Sequence, residues 1–162
     1  MTEAVLVLDA LGALLGGLAS RPGSVPKYLY PSAGTLYPVQ AYVILRAPTT
    51  QAAAGSHYYD PDTHELVTLS AETPAAPDGS TPAALLMLAA QRAAIAPVYG
   101  DEAEAFCLLE AGYMTETLRG RVPGLALRDA GDPAGHADLI RACRLEESHA
   151  PLVCLAVEET KR

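Results

Sequence analysis

Prolines at 26, 31 and 38 constrain this chain more than any other feature, because each fixes φ and removes a backbone donor. The segment they punctuate, Lys27 to Pro38 (KYLYPSAGTLYP), is excluded from a long helix or a continuous strand. It reads as a fixed irregular loop, and regular elements must assemble on either side of it.

Those elements follow from periodicity. In Ala4 to Ala19, Leu8, Leu11, Leu15 and Leu18 fall at helical spacing, as do Val7, Leu11, Leu14 and Leu18. The pattern predicts a packed helix ending at Gly16-Gly17. No basic residues open the run and Asp9 interrupts it, so it is not read as a secretory signal. Ala41 to Leu45 predicts a strand. His57 to Tyr59 and Leu66 to Leu69 flank Asp60-Pro61-Asp62-Thr63, a hairpin with its turn. Ala83 to Ala90 (AALLMLAA) is ambiguous between helix and buried strand, since propensity favours the first and continuous apolarity allows the second. Asp101 to Leu118 is the clearest helix, with carboxylates in its first turn. Ala137 to Leu145 reads as a small helix, and Ala150 to Val157 as a late strand. Helices and strands mix without βαβ alternation, so the fold class is α+β.

The chain has 162 residues, enough for one domain with a real core. Half of it is hydrophobic and the net charge is −8; the first excludes disorder and the second argues against a nucleic-acid partner. Three widely separated cysteines give neither a disulfide scaffold nor a zinc site. The expectation is a cytoplasmic protein with no membrane partner and no metal. There is no GxGxxG, Walker A or GxSxG sequence. His57, His64, His136 and His149 are scattered, which favours surface or core roles. Glu110 lies within the apolar sequence of the long helix, where partial burial with a structural role is expected.

Lysine usage points to chemistry. Of eleven basic residues only Lys27 and Lys161 are lysines, and Lys161 is next to last. Arginine keeps its proton whereas a lysine is tunable by burial. Lys27 adjoins a group of tyrosines: Tyr28, Tyr30, Tyr37 and Tyr42, four of the chain's eight, fall within fifteen residues. The residues alone leave two readings: a core patch with wet hydroxyls, or a platform for a planar ligand with a proton-transfer group.

The segment Lys27 to Pro38, continued by Val39-Gln40-Ala41-Tyr42-Val43, resembles the signature loop of SagB/McbC-type flavin oxidases of the nitroreductase superfamily, which include oxidase domains of nonribosomal peptide synthetases. His57-Tyr58-Tyr59-Asp60-Pro61 with His64 to Leu69 extends the resemblance, as does Ala94 to Met114 (AIAPVYGDEAEAFCLLEAGYM), in the same order along the chain. The resemblance implies a nitroreductase-like α+β fold over 1–162 as one shortened domain, with a mixed or antiparallel sheet flanked by helices. It places Ala83 to Ala90 in a central strand. It implies a homodimer, or a subunit of a larger synthetase, with FMN at the interface, and oxidation of thiazoline or oxazoline to thiazole or oxazole on a carrier-bound or ribosomal peptide.

The resemblance also distributes the roles. The family's Lys-Tyr pair falls on Lys27 and Tyr28, with Tyr28 as base and Lys27 as electrostatic partner, or the reverse. An ammonium beside the phenol would lower the Tyr28 pKa. Both side chains can act together only if the segment bulges or turns between Pro26 and Pro31. Pro31, Ser32, Ala33 and Gly34 would line the flavin, and Gly112 would allow close packing of the long helix. Three departures stand out. The family's arginine-rich opening segment, which grips the FMN phosphate, has no counterpart before Arg21; Arg46, Arg119 and Arg121 are candidates by charge. Thr35 stands where a glycine is usual, and the stretches Ala71–Pro82 and Gly120–Gly131 are short. These departures keep open a cofactor-free pseudo-oxidase that serves as a binding module, and a nicotinamide-using reductase is a third reading.

Overall fold

The computed structural model describes residues 3–25 and 27–160; Pro26 and Lys161 lie outside the described residues. The chain opens with α1 (Glu3–Leu15) and reaches, through the proline-rich loop, the strands β1 (Val39–Leu45), β2 (Gly55–Asp60), β3 (Glu65–Ser70) and β4 (Ala84–Gln91). A single helical turn, α2 (Ala96–Tyr99), leads into the long α3 (Ala103–Leu118). Then follow β5 (Leu125–Asp129), α4 (Ala137–Ala142) and β6 (His149–Glu159). The six strands form one sheet in the order β3-β2-β1-β4-β6-β5, and every neighbouring pair is antiparallel.

The ambiguity over 83–90 resolves as strand, for a reason visible in the packing. Ala84, Leu86, Leu88 and Ala90 point into the core with α1 and α3. Leu85, Met87 and Ala89 point into a second core on the opposite face, with Leu139 and Cys143. Alternation is present in β4, but both faces are buried, so it leaves no polar–apolar pattern in the sequence. β1 behaves likewise: Val39, Ala41, Val43 and Leu45 face the first core, and Tyr42 and Ile44 the second.

The packing merges the two apolar stripes of the first helix: Val7, Leu11, Leu14, Leu15 and Leu18 are all buried. Leu8 is half-buried. Behind its end, Gly17 lies against Arg121: a Cβ at Gly17 would come within 2.9 Å of the arginine Cδ. The Arg121 Nε donates to the Ala13 carbonyl at 3.1 Å, a cation placed at a helix C-terminus. α3 buries Cys107, Glu110, Ala111, Met114 and Leu118, a helical stripe with one charged residue in it.

The predicted hairpin forms with β2 and β3. Asp60 Oδ1 accepts the N–H groups of Asp62 at 2.9 Å and Thr63 at 3.4 Å, the Asx arrangement that suits aspartate to turns. His64 closes the turn at φ +56°. Among the described residues no helix is long and apolar enough to cross a membrane.

Candidate functional site

The loop before β1 is held by its own groups. The Arg21 N–H donates to the Lys27 carbonyl at 2.7 Å. The Ser32 hydroxyl oxygen accepts the Tyr37 N–H at 2.9 Å, and the Ser32 carbonyl accepts the Thr35 N–H at 3.1 Å. Between these anchors the backbone passes through the left-handed region at Gly34 (φ +60°), Thr35 (+57°) and Tyr37 (+47°). Glycine adopts this conformation without cost, whereas a β-branched threonine is strained there. The position where the resemblance notes a missing glycine is therefore one whose backbone favours it.

The loop turns its residues toward two separate cavities. On one side Tyr28, Tyr30 and Tyr37 join Tyr58, Tyr59 and the hairpin turn around a space of about 310 Å³. Tyr28 packs on Tyr37 with ring centroids 4.1 Å apart, and on Tyr30 at 5.5 Å. Three of the four clustered tyrosines thus do form an aromatic group. Tyr42 does not join it, because its place in β1 turns it to the opposite core, against Tyr58 at 5.8 Å. On the other side Pro31, Ser32 and Ala33 face Phe106, Leu109 and Tyr113 of α3 across an open slot of about 230 Å³.

The predicted site residues are therefore divided. Pro31, Ser32 and Ala33 share the slot, whereas Tyr28 opens into the tyrosine cavity. Lys27 is exposed and lines neither space. Gly34 also lines neither; it lies against Tyr99, whose hydroxyl a Cβ would approach to 2.8 Å. Gly112 has open space beside it, so close packing is not what it serves here.

Electrostatics correct one expectation. Burial first, and then the Asp62 carboxylate, push the Tyr28 phenol up to about 12. Lys27 is exposed and does not act on this phenol; the charged groups that do, Asp62 and Asp60, are negative. Tyr28 is a phenol that keeps its proton. Tyr59 is likewise pushed up to about 12, mainly by burial.

Glu110 is the charged group nearest the slot. Its side chain is 1% exposed, Oε1 accepts the Val39 N–H at 3.1 Å, and Oε2 has no hydrogen-bond partner among the described residues. Burial raises its carboxyl to about 6, with the Ser32 hydroxyl and the Val39 N–H pulling the other way. Sequence reasoning read it as partly buried and structural; its position beside Ser32 depends on the α3–β1 contact, which no local pattern announces. Phe106, Leu109 and Tyr113 were missed as slot residues, since α3 is apolar on more than its buried face.

Other reactive groups have structural surroundings. His57 is fully buried; its Nε2 lies 2.9 Å from the Ala53 carbonyl and Nδ1 3.2 Å from the Thr68 hydroxyl. A carbonyl only accepts, so Nε2 carries the proton and Nδ1 accepts from Thr68. Burial lowers the pKa of this ring. The three cysteines are buried and unpaired, and burial pushes Cys143 and Cys154 up to about 12, so neither is a ready nucleophile. Among the described residues no cluster of three metal-ligating side chains occurs.

A flavin can be tested against the slot. Pro31 and Ala33 are small or flat, and Phe106, Leu109 and Tyr113 supply an apolar opposite wall, which suits the ring end of the cofactor. The phosphate end finds no cation among the described lining residues. The three arginines considered by charge are committed elsewhere: Arg46 donates to the carbonyls of Thr73 and Pro74 at 2.7 Å each, Arg119 pairs with Glu116 at 3.3 Å, and Arg121 caps α1.

Comparison with known proteins places the architecture. A protein from Ralstonia eutropha JMP134 assigned as a nitroreductase superposes with a TM-score of 0.79 at 20% identity, over 95% of this chain and 73% of that one. A second, from Anabaena variabilis ATCC 29413, gives 0.77 at 21% identity, over 92% and 34%. The chain has a nitroreductase-like fold. Within that fold, a chain of the E. coli microcin synthetase McbBCD complex, solved with truncated pro-MccB17 bound, superposes at 0.74 with 19% identity, over 96% of this chain and 64% of that one. In sequence, indigoidine synthase of Dickeya dadantii (strain 3937) is 33% identical over 153 residues, covering 85% of this chain and 10% of the synthase. The nitroreductase-like chain thus spans about a tenth of the curated relative it matches. No family model matches it.

Proposed function

We propose that this nitroreductase-like chain is an FMN-dependent oxidoreductase module of a biosynthetic synthetase, one that oxidises thiazoline or oxazoline rings to thiazoles or oxazoles on a carrier-bound or peptide substrate. The observation that carries the reading is the slot between Pro31–Ala33 and α3. The loop that resembles the flavin-oxidase signature builds an open wall of small residues there, and it has not collapsed onto its own side chains. The similarity to a segment of indigoidine synthase, and to a chain of a synthetase complex solved with a bound peptide precursor, supports a module that acts on tethered intermediates.

Aromatising an azoline removes one hydride and one proton. FMN, when bound, supplies the hydride acceptor; the protein must position the ring and take the proton. Pro31, Ser32 and Ala33 would hold the flat face, with Phe106 and Leu109 excluding water. Glu110 anchors this wall through Val39. In the Lys27–Tyr28 pair, a Tyr28 that keeps its proton would act as a hydrogen-bond donor and not as the base. Exposed Leu108, Leu109 and Tyr113 on α3 give an apolar strip suited to a second copy or to another part of a synthetase.

A second reading, a cofactor-free binding module, is favoured by two specific observations: the slot lacks a lining cation, and Tyr28 opens away from it. Visible absorption of the purified chain after incubation with FMN separates the two. Retained yellow colour with oxidised-flavin bands supports the oxidoreductase; a protein that stays colourless supports the binding module. In a flavin-loaded protein, Lys27→Ala and Tyr28→Phe keep the colour and lose azoline turnover; full turnover in both removes the catalytic assignment.

A further inference from the structure

The tyrosine cavity differs in chemistry from the slot under α3. Five of the chain's eight tyrosines line it, together with Asp60 and Asp62, and no Lys, Arg or His is among its described lining residues. The rings of Tyr28, Tyr30 and Tyr37 lie within 4.1 to 5.7 Å of one another. Aromatic faces carry negative quadrupole density, which attracts a cation, and more strongly where water is thinned. Two carboxylates at the rim add the same sign of potential.

The two aspartates are not equivalent. Asp60 uses Oδ1 to hold the hairpin turn. The Asp62 side chain makes no hydrogen bond or ion pair among the described residues, since only its backbone N–H serves the turn. After burial, its charge is the next influence that holds the proton on Tyr28. An anion entering here would meet two carboxylates, and a neutral apolar group would leave the Asp62 charge unused.

We propose that this cavity binds an alkylammonium group, held among the rings of Tyr28, Tyr30 and Tyr37 with Asp62 as its counter-ion. The R–NH3+ group comes from a free amine or from an amino group carried by a peptide. The site is distinct from the slot assigned to FMN, and its occupation does not depend on a flavin.

The chain contains no tryptophan, and five of its eight tyrosines line this cavity, so its tyrosine fluorescence responds to what binds there. The experiment titrates the full flavin-free chain with n-butylammonium chloride at constant ionic strength, using 1-butanol and sodium butyrate as neutral and anionic counterparts. A saturable change is expected with butylammonium alone. Asp62→Asn should weaken it about tenfold, Tyr28→Leu by a similar factor, and Tyr28→Phe, which keeps the aromatic face, by less than about twofold. Asp62→Asn retains the backbone bond of the turn, so it decides the matter if Tyr28→Leu does not fold. A capped Ala-Lys-Ala peptide, compared with its norleucine counterpart, distinguishes the sources. Lysine-dependent binding assigns a peptide amine, and binding of butylammonium without the peptide assigns a free one. No saturable response to butylammonium, an equal response to butanol, or undiminished affinity in Asp62→Asn overturns the proposal. Because Tyr28→Phe is expected to lose turnover while keeping amine binding, failure of this site and failure of the oxidase reading give different results.

Discussion

The Glu110 carboxyl on α3 accepts the Val39 N–H at the first residue of β1, 3.1 Å away and 71 residues apart in sequence. This bond fixes the end of the proline-braced loop to the helix that faces it. The wall formed by Pro31, Ser32 and Ala33 is therefore positioned by a buried acid as well as by the prolines. An uncompensated oxygen on that acid is costly when it ionises.

The first prediction concerns that cost. The Glu110 carboxyl lies at about 6 in the folded chain against 4.5 ordinarily, so the fold favours its protonated form. The corresponding stability is fully present below pH ~4.5 and is lost as pH rises through about 6, a change of about 2 kcal/mol. Glu110→Gln keeps an acceptor for Val39 and carries no charge. In urea unfolding, its stability relative to the wild type should improve by about 2 kcal/mol between pH ~4.5 and pH ~7.5. A difference that stays flat across this range would show that Oε2 is solvated.

Adjacent loop positions should respond in opposite directions. Gly34→Ala places a Cβ in the left-handed region and against the Tyr99 hydroxyl, and should cost about 1–2 kcal/mol. Thr35→Gly relieves strain at φ +57°, partly offset by the entropy of the unfolded glycine, and should leave stability unchanged or raise it by up to about 1 kcal/mol. Thermal unfolding of the two variants side by side checks the pair. A destabilised Thr35→Gly would mean that the threonine hydroxyl, which donates to the Gly34 carbonyl at 2.6 Å, outweighs the strain.

Tyr28 should titrate late. With its phenol pushed up to about 12, the alkaline difference spectrum between wild type and Tyr28→Phe should contain no tyrosinate absorbance at pH ~10, where an ordinary tyrosine is half ionised. A tyrosinate band at that pH would show that burial and Asp62 do not hold the Tyr28 proton.

Most elements were legible because one face of each pays for itself in pattern: the Val7–Leu18 stripe, the Asp60–Thr63 turn and the long helix all follow from local rules. β4 was ambiguous because both its faces are buried. The site was legible in part. The prolines identify the loop, and the small residues Ser32 and Ala33 do line a slot. That Tyr28 opens into a different cavity, and that Lys27 lines neither, was not readable, because the path of an irregular loop follows no period; it passes through left-handed residues at 34, 35 and 37, two of which are not glycine. Asp62 and Tyr59 reach the tyrosine cavity only through the pairing of β1 with β2, a long-range contact with no signature in the sequence.

The central claim is that an isoalloxazine lies between Pro31–Ala33 and α3. Titrating the purified chain with FMN, followed by flavin absorbance and fluorescence, tests it most directly when Ala33→Trp, which fills the slot, is measured in parallel. The account predicts saturable uptake by the wild type and its loss in a folded Ala33→Trp. No uptake by the wild type, or equal uptake by both proteins, would contradict it.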